Sequence, residues 1–323
     1  MNKKRHHYVP RAYLRPFCDG QGRLRVYRKD EPEKIICQSP DNFGFHKYYY
    51  SQPSEDGGRD NCLEDLFSKL ESKWPPLVDG LRRGDDIGDS ESLGVLLDFI
   101  ALQRARVPAA RDMIERIRAE QVMSTTRVMD ASGLLPPKPP GHGDILDHLE
   151  VAIDPHQSLL EMKPLMDGID RVFSEIGLGA LHNKTDIPLL TSDNPVIWFD
   201  PSVPETEMRP YVWRPGTPLV FIFPVAPDCV IYGHSSMREQ FAIHGFGYGD
   251  LSSSESVEMM NRQICRFAYE AVFAQKSGQE ALICEHAGVS PVLQTSRLPG
   301  AQGEVLLFSN VFGPRTRKPK WAD

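Results

Sequence analysis

The chain has 323 residues, which is enough for one large domain or two ordinary ones. Hydrophobic residues make up 40% of it and charged residues 25%, so the composition excludes a disordered chain. The net charge of −7 argues against a protein that coats DNA passively.

The charge is unevenly distributed along the chain. Residues 1–29 carry nine lysines and arginines against one acid, Asp19, so the rest of the chain is strongly acidic. A basic segment on an acidic body often contacts nucleic acid or a phosphate-bearing small molecule. The alternative is a solvated basic edge that has no partner.

The cysteines and the apolar stretches indicate a cytoplasmic protein. None of the six cysteines forms a Cys-x-x-Cys pair, which favours reduced thiols over a zinc site or a disulfide scaffold. The basic start is not followed by an apolar run, and no apolar stretch is long enough to span a bilayer. We therefore expect a cytoplasmic protein without a membrane segment, whose oligomeric state the sequence leaves open.

Hydrophobic periodicity and turn residues predict the elements in chain order. They are strands at 23–27 and 35–37, helices from Asn61 and from near Asp89, a helix from Asp154, strands at 187–190, 196–199, 219–223 and 229–232, and a helix from Ser252 whose apolar stripe reaches Ala271. Pro75 and Pro76 are expected to end or kink the first helix, and Pro108 the second. Because helices and strands lie in blocks, we predict an α+β fold with helical segments packed on a mainly antiparallel sheet.

The Pro/Gly-rich stretch at 131–143 is the one candidate linker. The elements before it are too few to bury a separate core. We therefore predict a single composite domain over residues 1–300, with this linker as an excursion from it. Residues 301–323 are predicted to be a basic C-terminal tail that is partly frayed.

Two adjacent histidines, His6 and His7, are the first candidates for catalysis, as a general base or a metal ligand. Neighbouring residues of a strand point to opposite faces, so we expect only one of them to act. The alternative is a flexible basic terminus. Against that alternative, Tyr13, Leu14 and Phe17 have the character of packing residues that hold the segment in place.

Glu64 and Glu71 are seven residues apart on the first long helix, so they lie on the same side of it. Paired carboxylates at the edge of a core are suited to a divalent metal, which is the cofactor that the sequence suggests. The alternative is that both are solvated or salt-bridged.

Arg104 falls in the middle of the apolar stripe of the second long helix, and Gln103 and Arg106 lie on adjoining faces. An arginine in that position must be paired or must line a cavity. A guanidinium held by a helix is also suited to binding a phosphate. We predict catalytic roles for both arginines and substrate binding for Gln103; the alternative is a salt bridge to the Glu64/Glu71 helix.

Asp193 and Asn194 lie where a predicted strand meets a turn. A carboxylate at a strand end is a common catalytic acid or metal ligand, although both residue types are also favoured in turns. We predict Asp193 as catalytic and Asn194 as substrate-binding. Asn261, on the apolar stripe of the last helix, is a further substrate-binding candidate, and its alternative is a structural amide with satisfied hydrogen bonds.

These segments together resemble one protein family. They are His-His-Tyr-Val-Pro-x-x-Tyr-Leu-x-x-Phe at 6–17, the Glu64/Glu71 helix, Gln103-x-x-Arg106-x-Pro108, Thr-Ser-Asp-Asn-Pro at 191–195 and the Asn261 helix. In this order the chain is similar to family 4238 of the domains of unknown function, over most of residues 6–275. The resemblance implies kinship and brings no activity with it.

The hypothesis for function is an enzyme or effector that acts on a phosphate-bearing substrate, as a nuclease or nucleotide hydrolase in a toxin or defence system. A histidine serves as base or metal ligand, Arg104 or Arg106 stabilises the phosphate, and Asp193 binds metal or orients the histidine. The alternative is a non-catalytic protein that binds nucleic acid or another partner through the same basic segment.

Overall fold

The computed structural model describes residues 5–54, 58–300, 303–319 and 321. Its helices are α1 (Arg11–Leu14), α2 (Cys62–Arg83), α3 (Ser90–Arg106), α4 (Pro108–Ala131), α5 (Pro155–Leu159), α6 (Met162–Phe173), α7 (Arg238–His244), α8 (Ser254–Phe267) and α9 (Glu280–Glu285). Its strands are β1 (Arg5–His7), β2 (Leu24–Arg28), β3 (Ile35–Gln38), β4 (Phe45–Lys47), β5 (Gln52–Pro53), β6 (Arg59–Asp60), β7 (Gly177–Asn183), β8 (Thr191–Ser192), β9 (Ile197–Phe199), β10 (Val220–Ala226), β11 (Cys229–His234), β12 (Gly247–Leu251), β13 (Ala271–Ala274), β14 (Ser290–Gly300) and β15 (Gly303–Gly313).

Two larger sheets organise the strands. One has the order β12-β7-β11-β10-β9, antiparallel except for the parallel pair β12 and β7. The other has the order β3-β2-β13-β8 and is antiparallel throughout. The α+β class with mainly antiparallel sheets is therefore confirmed. The strands predicted at 23–27 and 35–37 are present as β2 and β3, which pair with each other.

Strand β10 separates two hydrophobic cores. Successive side chains of a strand point to opposite faces. Phe221 and Phe223 accordingly enter one core, while Val220 and Ile222 enter the other. This placement explains why β10 is apolar along its whole length, since neither of its faces meets solvent.

An aromatic cluster fixes the N-terminal segment to the first core. Trp74 of α2 stacks on Phe99 of α3 with ring centroids 3.8 Å apart, and Tyr13 of α1 lies 5.3 Å from Phe223. The Tyr13 hydroxyl also contacts Thr191 Oγ1 at 2.6 Å. Tyr13 and its neighbours Leu14 and Phe17 are fully buried, as the sequence predicted.

The two sides of the 131–143 stretch share one sheet, because β2 pairs with β13. Residues 303–313, which the sequence assigned to a tail, form β15 and pair along their length with β14. Of the basic residues predicted near the two ends, Lys3, Lys4 and Lys320 lie outside the described residues. In the described part of the chain, no helix combines the length and the apolar character needed to cross a membrane.

Several element boundaries differ from the sequence-based prediction. Helix α2 continues through Pro75 and Pro76 and does not end there. The helix expected from Asp154 is divided into α5 and α6. Gly177 lies at the start of β7, where the fold requires glycine because a Cβ there would be 2.1 Å from the Met237 carbonyl oxygen.

Two further differences have side-chain causes. Helix α8 ends at Phe267, and Ala271 belongs to strand β13, because the Asp193 carboxylate takes the backbone N–H groups that follow the helix. Residues 187–190, which were predicted to form a strand, are irregular, and the short strand β8 follows them. The Asn261 side-chain amide accepts from Leu190 N and donates to Pro188 O. It thereby takes the place of the backbone hydrogen bonds that a neighbouring strand would make.

We predict that Trp74→Ala lowers the free energy of unfolding by about 3–5 kcal/mol, because it removes a buried indole and its stack on Phe99. Urea unfolding at neutral pH measures this. Trp321→Ala is the matched control, since Trp321 is 46% exposed, and it should change stability by less than about 0.5 kcal/mol. Equal effects of the two substitutions would contradict the packing described.

Candidate functional site

The junction of α3 and α4 positions most of the predicted site residues. Helix α3 ends at Arg106, Val107 is extended with φ −75° and ψ 154°, and α4 starts at Pro108. A residue before proline is disfavoured in the helical region, so the break predicted at Pro108 occurs there. The last turn of α3 is consequently buried between the N-terminal segment and the strands.

Arg106 is a structural residue. Its Nη1 donates to Glu71 Oε1 at 2.7 Å, and its Nη2 donates to the backbone oxygen of His7. Its side chain is 1% exposed. Arg106 thus ties α2 and β1 to α3, and its guanidinium has no nitrogen directed to a ligand cavity.

The two histidines are part of the same packing. His6 is fully buried, accepts a hydrogen bond from Tyr50 N at 3.0 Å and stacks on the Tyr50 ring. Burial, together with the charges of Arg11 and Arg106, lowers the pKa of His7 to about 4, so His7 is neutral at pH 7. His7 Nε2 is buried without a hydrogen-bond partner.

Two predicted amides also have structural partners. Gln103 Nε2 donates to the Tyr8 oxygen at 3.0 Å, which holds the chain after β1. Asn261 accepts from Leu190 N at 2.8 Å and donates to Pro188 O at 3.0 Å and Gln279 Oε1 at 2.7 Å. The hydrogen bonds that Asn261 needs are therefore satisfied within the fold.

Asp193 is fully buried and holds the turn after α8. Its Oδ1 accepts from Tyr269 N at 2.8 Å, and its Oδ2 accepts from Glu270 N at 2.6 Å. Burial and the nearby Glu270 carboxylate raise the pKa of Asp193 to about 7, although the backbone donors oppose this shift. Asp193 therefore exchanges a proton near neutral pH without facing a cavity.

Arg104 contrasts with Arg106, whose guanidinium has partners in the protein. Arg104 is 5% exposed, and its Nε and Nη1 are buried without a hydrogen-bond partner. Among the described residues, no carboxylate lies within ion-pair distance of it. Its guanidinium carbon lies 3.9 Å from the centre of the Tyr211 ring and 5.5 Å from that of Trp198. Burial lowers the pKa of this guanidinium, and Tyr211 opposes that shift.

Tyr211 beneath Arg104 has an unusual backbone. Its φ is 62°, in the left-handed region that costs a non-glycine residue on the order of 1–2 kcal/mol. Its hydroxyl accepts from Asn194 Nδ2 at 2.5 Å, and its N–H donates to Trp198 O at 3.2 Å. Asn194 also donates to Phe267 O at 2.8 Å, so it positions Tyr211 from the core side. Strain of this kind concentrates at functional sites.

Arg104 lines a cavity of about 140 Å³ at the junction of α3 and α4, and it alone of the ten predicted site residues does so. The lining includes the tyrosines Tyr211 and Tyr269. Its charged residues are Arg104, Asp112, Glu115, Arg116, Arg317 and Lys318. Lys318 Nζ donates to Asp112 at 2.7 Å and to Glu115 at 2.6 Å, which offsets the acids. The remaining charge of the lining is positive.

Glu64 and Glu71, the predicted metal pair, both lie on α2. Glu71 Oε1 is taken by Arg106, and Glu64 is a largely buried residue of α2. Among the residues that the structure describes, no three His, Cys, Asp or Glu side chains are grouped as metal ligands. All six cysteines are free thiols.

Sequence reasoning missed several residues that surround Arg104. Tyr211 lies in the irregular stretch between β9 and β10, where no periodicity marks it. Asp112 and Glu115 are three residues apart on α4, and that spacing is a signal that they share a face. Lys318 was counted only as part of a basic tail, since nothing in its neighbourhood predicts which helix it meets.

The fold and this cavity define an α+β protein with a cationic cavity built around a buried arginine. The chain belongs to the family described as protein of unknown function (DUF4238), which matches residues 5–278. The resemblance seen in the sequence is thereby confirmed. No curated protein and no solved structure matches the chain.

Replacing Arg104 or Arg106 by methionine separates the roles of these two arginines. A cation–π contact is worth about 2 kcal/mol when desolvated, less than the several kcal/mol of burying a charge without a counter-ion. Arg104→Met should therefore raise the free energy of unfolding by about 1 kcal/mol. Arg106→Met should lower it by about 3 kcal/mol, since Glu71 and the His7 oxygen lose their donor. Urea unfolding compares the two, and equal destabilisation would contradict the assignment.

Asp193 gives the stability a predictable pH dependence. Its pKa in the folded protein is about 7, above the 3.8 of an exposed aspartate, so the folded state binds more protons between these pH values. Its contribution to stability is complete below pH 4 and is lost as the pH rises towards 7.

The stability advantage of wild type over Asp193→Asn should therefore shrink by on the order of 3 kcal/mol between pH 4 and pH 8. Urea unfolding of both proteins across this range measures the difference. A constant difference would show that Asp193 does not change protonation in the folded state.

Proposed function

We propose that this protein binds a phosphate-bearing small molecule in the Arg104 cavity and hydrolyses it. One observation supports the proposal most strongly: a buried guanidinium that has no carboxylate partner among the described residues lines a cavity. Such a charge is costly unless an anion completes it. A phosphate oxygen suits this position, because charge-assisted hydrogen bonds to arginine are among the strongest in proteins.

The geometry around the Arg104 guanidinium restricts the class of ligand that can bind. Since Nε and Nη1 are buried, Nη2 is the nitrogen that can face the cavity. Tyr211 covers the flat side of the guanidinium and holds it in place. Arg116 and Arg317, both exposed, add positive charge at the rim. This arrangement favours a compact anionic group that meets the guanidinium at its Nη2 nitrogen.

For hydrolysis, Asp112 is the carboxylate best suited to position the attacking water. His6, His7 and Asp193 do not line the cavity, whereas Asp112 does. Its oxygens accept from the Tyr269 hydroxyl at 2.8 Å and from Lys318 at 2.7 Å, which fix its orientation. Water attacks the phosphorus, the bond to the leaving oxygen breaks, and Arg104 stabilises the charge that develops on the phosphoryl oxygens.

The rival hypothesis, binding of nucleic acid through the basic N-terminal segment, has less support. Five of its seven described basic side chains already have protein acceptors. These are Arg11 with Asp41, Arg23 with Asp19, Arg25 with Gln275, Arg28 with Asp30, and Lys29 with three backbone oxygens. Few of these charges are left to release counter-ions from a phosphate backbone.

Calorimetric titration with inorganic phosphate and with AMP tests the binding. We expect wild type to bind, and Arg104→Met to lose about 100-fold in affinity, or roughly 2.7 kcal/mol, since it loses a charged donor. Arg118→Gln is the matched control, because Arg118 of α4 pairs with Glu161 and does not line the cavity. Equal binding by wild type and Arg104→Met would contradict the proposal.

Release of inorganic phosphate from nucleotides tests the reaction. Wild type should give product, and Asp112→Asn should bind AMP but form product at least about 100-fold more slowly. Binding without product in the wild type would reject hydrolysis and leave the binding proposal in place.

A further inference from the structure

Residues 314–319 follow β15 and cross one side of the Arg104 cavity; we call them the C-terminal strap. Four of them contribute to the lining, namely Thr316, Arg317, Lys318 and Pro319. The hairpin of β14 and β15 supplies another part of the wall, through Pro291, Val292, Leu293 and Asn310. The strap therefore borders the same space as the guanidinium.

Two separate parts of the chain build this cavity. Arg104, Tyr211 and Tyr269 lie within residues 5–278, which match the family, whereas the hairpin and the strap lie beyond them. The group that faces an anion and the wall that limits the space beside it can thus vary independently.

Ion pairs hold the strap in place. Lys318 contacts Asp112 and Glu115, and Arg315 Nη1 lies 3.4 Å from Glu270 Oε1. The strap belongs to no helix or strand, and in the described part of the chain its residues make no backbone–backbone hydrogen bond. The Arg315–Glu270 and Lys318–Asp112 pairs join partly exposed groups, and such pairs are weak and are screened by salt. The Glu115 carboxylate is buried, but it also accepts a hydrogen bond from Ser158 Oγ at 3.2 Å, and Lys318 is its second partner. The strap can therefore leave without disturbing either core.

The closed cavity is small for a whole nucleotide. Its volume of about 140 Å³ is below the roughly 300–1,000 Å³ of sites that enclose drug-sized ligands. A phosphate group fits that space, whereas a phosphate with an attached nucleoside exceeds it, and the strap is part of the wall that limits the space.

We propose that the C-terminal strap sets the size of the ligand: closed, it admits inorganic phosphate or a comparably small phosphate ester, and released, it admits a nucleoside monophosphate. This inference rests on the proposed function of the cavity. A small anion next to Arg317 and Lys318 also holds the strap closed, and by linkage the closed strap holds that anion more tightly.

The test uses the double variant Arg315→Gln/Lys318→Gln. Arg297→Gln is the matched control, since Arg297 pairs with Glu120 of α4 at 2.7 Å and joins the hairpin to that helix without lining the cavity. Two quantities are measured for each protein. One is the rate of trypsin cleavage after Arg317, a site that every variant keeps; the other is the ratio of the AMP and phosphate affinities.

We expect the double variant to be cleaved faster than wild type and phosphate to slow the cleavage of wild type. The affinity ratio should shift about tenfold towards AMP, because the apparent Kd falls as the binding-competent fraction rises. The control should behave as wild type in both measurements.

If trypsin cleaves the double variant at the wild-type rate, the proposal that the strap is released is wrong. Faster cleavage with an unchanged affinity ratio would overturn its role in ligand size, while phosphate binding by wild type would leave the proposed function intact. If neither ligand binds to wild type or to any variant, the proposed function itself fails, and this inference fails with it.

Discussion

The account of this protein depends on one constraint: the fold buries the positive charge of Arg104, which has no negative partner in the part of the chain that the structure describes. Arg104 lies at the junction of α3 and α4, stacked on a tyrosine whose own backbone is strained. The buried charge of Arg104 and the strained backbone of Tyr211 each lower stability, and the two residues lie side by side at a cavity. Local costs of this kind cluster at active and ligand-binding sites, which supports the proposal of an anion site here.

The geometry of a helix explains why the neighbouring candidates have other roles. Successive residues are rotated by about 100°, so positions 103, 104 and 106 face three different surroundings. Gln103 and Arg106 meet the N-terminal segment and hold it to the core. Only Arg104 is turned towards the cavity. Gln103 and Arg106 thus hold the fold together, whereas Arg104 lines the cavity.

The sequence predicted what local patterns determine. Alternation and turn residues located strands β2 and β3, the apolar run located β10, and Pro108 located the break after α3. The sequence also marked Arg104 as an arginine in need of a partner or a cavity. It could not choose between these, because the answer depends on whether a carboxylate arrives from elsewhere in the chain. Tyr211 and Lys318 reach the site through long-range packing, which leaves no periodic signal.

The most direct test is a crystal structure of the protein soaked with tungstate, a phosphate analogue whose anomalous scattering locates it. The account predicts an anomalous peak in the cavity, with a tungstate oxygen within hydrogen-bond distance of Arg104 Nη2 and the Tyr211 stack unchanged. A cavity without such a peak, or tungstate bound only to exposed arginines elsewhere, would contradict the claim that Arg104 is buried for an anion.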